Sequence, residues 1–147
     1  MKRVIIITVF LLTAVPALLA QKGMHISELF TDKYREQKNV TELFLKGKML
    51  KDYNLTLFRS LTVANDPRLA AHMERLVRAD GKQSVDREEG MKGGQLYYAF
   101  YTFKNPDGSY RYLFFRNNLL RPGEKQETTM VYMEGKATLS ELKKLFR

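Results

Sequence analysis

The chain has 147 residues, with 25 Lys and Arg against 16 Asp and Glu. This length gives one small domain, with or without a targeting segment, and the 44% hydrophobic content excludes wholesale disorder. With no Cys and only two His, the chain has no disulfides, thiolate zinc sites or cysteine nucleophiles, and little material for a histidine-rich metal centre.

The first residues carry the clearest signal. Lys2 and Arg3 make a positive start, Val4 to Leu12 is an apolar run, Pro16 breaks it, and Ala17-Leu18-Leu19-Ala20 ends on a small residue. That order predicts a secretory signal peptide over 1–20, cut after Ala20. No Cys follows the cut, so no lipid-attachment residue is present. The competing reading is an uncleaved anchor, but the 17 residues from Val4 to Ala20 stand at the lower edge of a spanning helix. Cleavage leaves 21–147 as a single domain without a membrane span, expected in the periplasm or secreted. It also leaves 23 basic against 16 acidic side chains, a net charge of +7. Such a charge favours anionic surface components as partners, although its even spread also fits a merely solvated surface.

In chain order, Ile26, Leu29, Phe30 and Tyr34 recur at helical spacing and predict a short helix over about 27–37, capped by Ser27. Alternation from Val40 through Leu43 and Leu45 predicts a strand, and Leu55 to Val63 a second. Asn65 and Asp66 as caps, Pro67 at the first turn and the stripe Leu69, Met73, Leu76, Val77 mark a helix that Asp80-Gly81 ends. The polar, glycine-bearing stretch 82–94 reads as a mobile surface loop. Gln95 to Lys104 and Tyr110 to Arg116 are a hairpin around Asn105-Pro106-Asp107-Gly108. Arg121-Pro122-Gly123-Glu124 is a further turn, Thr128 to Glu134 the last strand, and Thr138 with Glu141 a capping box that starts a C-terminal helix. Leu139, Leu142, Leu145 and Phe146 are that helix's apolar side. The fold class expected from this order is α+β, a mainly antiparallel sheet of four to five strands with helices packed mostly on one face.

Taken together, the export signal, the segment Glu28-Leu29-Phe30-Thr31-Asp32-Lys33-Tyr34, the strand from Val40 to Met49 and the ending Met130-Val131-Tyr132-Met133-Glu134-Gly135 before a short helix resemble a known group. It is the domain-of-unknown-function family of small exported α+β proteins typical of the Bacteroidetes. The resemblance implies an envelope location and a compact sheet-and-helix domain, and it assigns no site.

No constellation in the sequence points to catalysis. His25 and His72 are far apart, so no metal pair is expected. Asp86, Glu88 and Glu89 could do acid–base work only if burial separated their pKa values, and in a charged loop they read as solvated. No Ser lies in a nucleophile elbow. Gly90-Met91-Lys92-Gly93-Gly94 lacks the phosphate-loop spacing. Neither a cofactor nor a metal is implied, and no catalytic residue is assigned.

The hairpin aromatics stand above this background. Alternation puts Tyr98, Phe100, Tyr112 and Phe114 on one face, and Tyr97, Tyr101, Phe103, Leu113 and Phe115 on the other. The first four are the candidate binding residues, on a face expected to be partly open, with Phe44 joining it if the first strand lies alongside. Core packing is the competing reading. Ring-bearing strands with basic flanks also suit single-stranded nucleic acid, but export counts against that partner. The expected function is therefore an exported, non-catalytic envelope protein that binds another envelope protein, a second copy of itself or an anionic surface component. The alternative is a secreted hydrolase with an unrecognised site, which would need a pocket where Glu88, Glu89 or His72 converge.

Overall fold

A computed structural model describes residues 23–145; the segment 1–20, expected from the sequence to be a signal peptide, and Phe146 lie outside the described residues. Six strands form one sheet: β1 (Val40–Lys46), β2 (Leu55–Ala64), β3 (Asp86–Lys92), β4 (Gln95–Lys104), β5 (Tyr110–Asn117) and β6 (Glu127–Gly135). Their order is β1-β2-β6-β5-β4-β3, and every neighbouring pair is antiparallel. The α-helices are α1 (Asp32–Arg35), α2 (Pro67–Gly81) and α3 (Leu139–Leu145), joined by 3-10 turns at His25–Leu29, Lys48–Tyr53 and Asn118–Leu120.

This architecture overturns the expected four to five strands with helices mostly on one face. The additional strand is β3, where the sequence reads as a loop. Its burial is low along its whole length because it is an edge strand, so no apolar alternation marks it. Gly93 and Gly94, both at positive φ (59° and 78°), make the tight turn that folds β3 onto β4.

Helices also cover both faces. On the first face the α2 stripe Leu69, Met73 and Val77, together with Ile26 and Leu29, packs on Leu61, Tyr101, Leu113, Phe115, Met130 and Tyr132. On the second face Leu50 of the 3-10 turn and Leu142 of α3 pack on Phe100, Tyr112, Phe114, Val131 and Met133. A sheet this apolar on both sides must be covered twice, and short helices suffice because each covers only two or three strands.

The helix expected over 27–37 is a 3-10 turn followed by the single turn α1, yet its spacing does bury Ile26, Leu29, Phe30 and Tyr34. The Asp80 carboxylate, buried at the end of α2, holds this segment down by accepting from the backbone N–H of His25 (2.7 Å) and of Ile26 (2.9 Å). Phe44 does not join the Tyr98 group. Its register partner is Arg59, which lies on the first face with its guanidinium 5.8 Å from the Phe44 ring and 4.3 Å from Phe30. Glu42 accepts from both Arg59 and Arg35 there, and burial holds the Arg59 guanidinium below its usual pKa.

Candidate functional site

Pairing register sets the second face in rows. Asp86, Thr102, Tyr112 and Met133 share one row, and Glu88, Phe100, Phe114 and Val131 the next. After β6 the chain turns at Gly135, and the Ala137 carbonyl accepts the Tyr112 hydroxyl at 2.7 Å. Thr138 and Glu141 then close the capping box that starts α3: Glu141 accepts the Thr138 N–H at 2.9 Å, and Thr138 Oγ1 accepts the Glu141 N–H at 3.2 Å. The helix cannot reach the sheet edge. A cleft of about 350 Å³ remains between α3 and the edge strand β3.

Phe100 and Tyr112 are in the cleft wall, with Leu139 and Leu142 facing them from α3. Asp86 and Glu88, with Arg87 between them, stand on the β3 side, and Lys136 on the other. Two of the four candidate rings therefore line the cleft. The expectation of an open aromatic platform is corrected: Phe100, Tyr112 and Phe114 are 8%, 3% and 5% exposed, and Tyr98 is half-buried. The four rings form one cluster, edge-on at Tyr98–Phe114 (centroids 5.9 Å apart, 70°) and Phe100–Phe114 (6.4 Å, 62°) and tilted at Phe100–Tyr112 (6.4 Å, 54°). The C-terminal segment covers a face that the hairpin alone would leave open. Sequence reasoning missed the rim residues Asp86 and Glu88 as parts of a strand. The Gly93-Gly94 pair between two extended runs was the signal that could have found them.

The Tyr98 hydroxyl donates to Glu88 at 2.6 Å. Burial first, and Glu88 second, push the Tyr98 phenol up to about 12. Burial does the same to Tyr112, again to about 12. Tyr101, donating to Glu89, and Tyr132, donating to Glu134, are pushed up as well, with burial the main cause. The folded chain thus keeps phenolic protons that an unfolded chain loses near its ordinary value of 10.0. Stability is full below that pH and falls as pH rises from there towards about 12. Phenolate absorbance should accordingly rise in two steps, with the second tracking loss of circular dichroism. A single step at the ordinary tyrosine pKa would contradict this placement.

The groups a hydrolase would need do not converge. Glu88 is at the cleft, Glu89 bonds Tyr101 on the first face, and His72 sits on α2 between Glu28 and Arg75. Among the described residues, no group of three or more His, Cys, Asp or Glu is placed to hold a metal ion. No described helix is long and apolar enough to cross a membrane. The cleft offers an apolar wall with two carboxylates and a guanidinium at the β3 rim and Lys136 at the other.

No curated protein and no solved structure matches the chain. A family model does match residues 13–146, almost the whole length, and the chain belongs to that family, DUF6108, a family of unknown function.

Proposed function

We propose that the chain is exported to the periplasm or beyond and acts there as a non-catalytic binding module, with the cleft at Phe100 and Tyr112 receiving an envelope protein partner. The observation that carries this reading is the cleft between β3 and α3, with aromatic walls and both signs of charge at its mouth. Aromatic walls bury large area at small rotamer cost. A partner segment with an apolar residue for the cleft and a basic residue for Asp86 and Glu88 fits this chemistry. The scattering of Glu88, Glu89 and His72 supports a binding role over the hydrolase alternative.

Two measurements test the reading. N-terminal sequencing of the envelope fraction should find chains starting at Gln21, and a dominant species retaining Met1 would count against export. Capture of envelope proteins by the purified chain should fall at least about tenfold for Thr102→Arg, which fills the cleft, a loss of about 1.4 kcal/mol. Undiminished capture by a folded Thr102→Arg chain would remove the cleft from the account. If the captured partner is a second copy, the native chain will sediment as a dimer and the variant as a monomer.

A further inference from the structure

The 3-10 turn Lys48–Tyr53 and α3 lie side by side on the second face. Lys136 donates its backbone N–H to the Asn54 carbonyl at 2.9 Å, and the Asn54 amide donates to Glu141 at 2.5 Å. Both elements turn apolar residues inward to the same core, Leu50 and Tyr53 from the turn, Leu142 and Leu145 from the helix. That leaves Lys48, Lys51, Lys143 and Lys144 exposed on the outside, with Lys136 between the two elements. None of these five lysines takes part in an ion pair among the described residues.

Only two carboxylates share these segments, Asp52 and Glu141. Glu141 accepts from the Thr138 N–H and Asn54 and feels the Lys144 charge, which together hold its pKa below the ordinary value, with the backbone bond first, so it stays charged and offsets part of the lysine cluster. Two large apolar side chains protrude among the lysines: Met49 is 70% exposed and Leu139 42%. The ion pairs elsewhere are made mostly by arginines, Arg35 and Arg59 with Glu42, Arg78 with Glu74 and Arg121 with Glu124.

From this we infer that the face built by Lys48–Tyr53 and α3 docks on an anionic phospholipid surface, lysines over the headgroups and Met49 and Leu139 dipping among them. Charge complementarity favours that occupant, because a cluster of exposed lysines around short apolar anchors is the composition that binds acidic bilayers at their surface. A soluble acidic partner would gain from the lysines too, and the vesicle series below separates it from a bilayer. The inference rests on export only for which membrane the chain meets. Vesicle binding and N-terminal processing are measured separately, so either can fail without the other.

The test is co-sedimentation of the purified chain with phosphatidylcholine vesicles containing about 30% phosphatidylglycerol, beside vesicles of phosphatidylcholine alone. Each lysine at such a surface raises affinity about fivefold, so binding should be at least about tenfold stronger on the anionic vesicles and should fade as salt shortens the screening length from about 10 Å at about 0.1 M. The combined variant Lys48→Gln, Lys51→Gln, Lys143→Gln and Lys144→Gln should lose at least about tenfold. The control Arg68→Gln, Lys82→Gln, Lys92→Gln and Lys125→Gln removes the same net charge and should lose less than about threefold. Thr102→Arg, which adds a cation and removes none, should bind vesicles at least as tightly as the native chain. Equal binding to neutral vesicles, equal loss in the control, equal loss in Thr102→Arg, or binding of soluble heparin without vesicle binding would each overturn the inference. The salt series on the native chain decides the matter even if the fourfold variant does not fold.

Discussion

Truncating Leu142 to Ala is expected to lower the unfolding free energy by about 2–4 kcal/mol. Leu142 is 0% exposed and is α3's principal contact with the second-face core, beside Ala137 and Leu50. Removing its branched end leaves a gap in that core, and a helix of seven residues is then held mainly by the half-buried Leu145 and the Glu141–Asn54 bond. The loss should extend beyond α3, because the same helix forms one wall of the cleft and shields Tyr112. Thr138→Ala removes one half of the capping box and should cost about 1 kcal/mol. Denaturant unfolding checks both. A neutral Leu142→Ala would mean that α3 is not docked, and the cleft would lose its wall.

Gly135→Ala should be at least as damaging, at more than about 3 kcal/mol. A Cβ on Gly135 would stand 2.4 Å from the Asn54 carbonyl oxygen and 2.8 Å from the Leu55 Cα. Both obstacles are backbone, and Asn54 is fixed by the Lys136 N–H on its carbonyl, so neither can swing aside as a side-chain tip would. The Gly135 φ of 155° is also one that a side chain rarely adopts. Gly123→Ala is the control. Its φ is 91°, but nothing lies within 4 Å of the added carbon, so it should cost only about 1 kcal/mol. Urea midpoints that rank the two substitutions in the opposite order would contradict the close approach of β6 to Asn54.

Much of the fold is legible in local chemistry. Asp66 accepts the Leu69 N–H at 3.0 Å with Pro67 at the first helical position, as the cap pattern predicts, and the Leu69, Met73 and Val77 stripe is the buried one. The Asn105 to Gly108 turn sets the register that aligns Phe100 with Phe114, so the face assignment of Tyr98, Phe100, Tyr112 and Phe114 is readable from alternation alone. What covers that face is not readable. The contacts of Leu142 and Leu50 with Phe114's neighbours join parts of the chain far apart in sequence, and periodicity reports only which side of an element is apolar. An edge strand such as Asp86–Lys92 escapes for a different reason. It is paired on one side and wet on both faces, so charge, which the sequence suggests is loop-like, here guards an edge. Leu139 shows the converse, since its helical spacing matches the core stripe but it is 42% exposed at the cleft mouth.

The most direct test of the binding role is photo-crosslinking in living cells with benzoylphenylalanine at Tyr110, a half-buried residue lining the cleft. The same probe at Arg68, exposed on α2 on the opposite face, serves as the reference. A partner seated between β3 and α3 gives a discrete protein adduct from position 110 and none from position 68. No adduct from Tyr110, or the same adduct from both positions, would contradict the cleft as the contact surface.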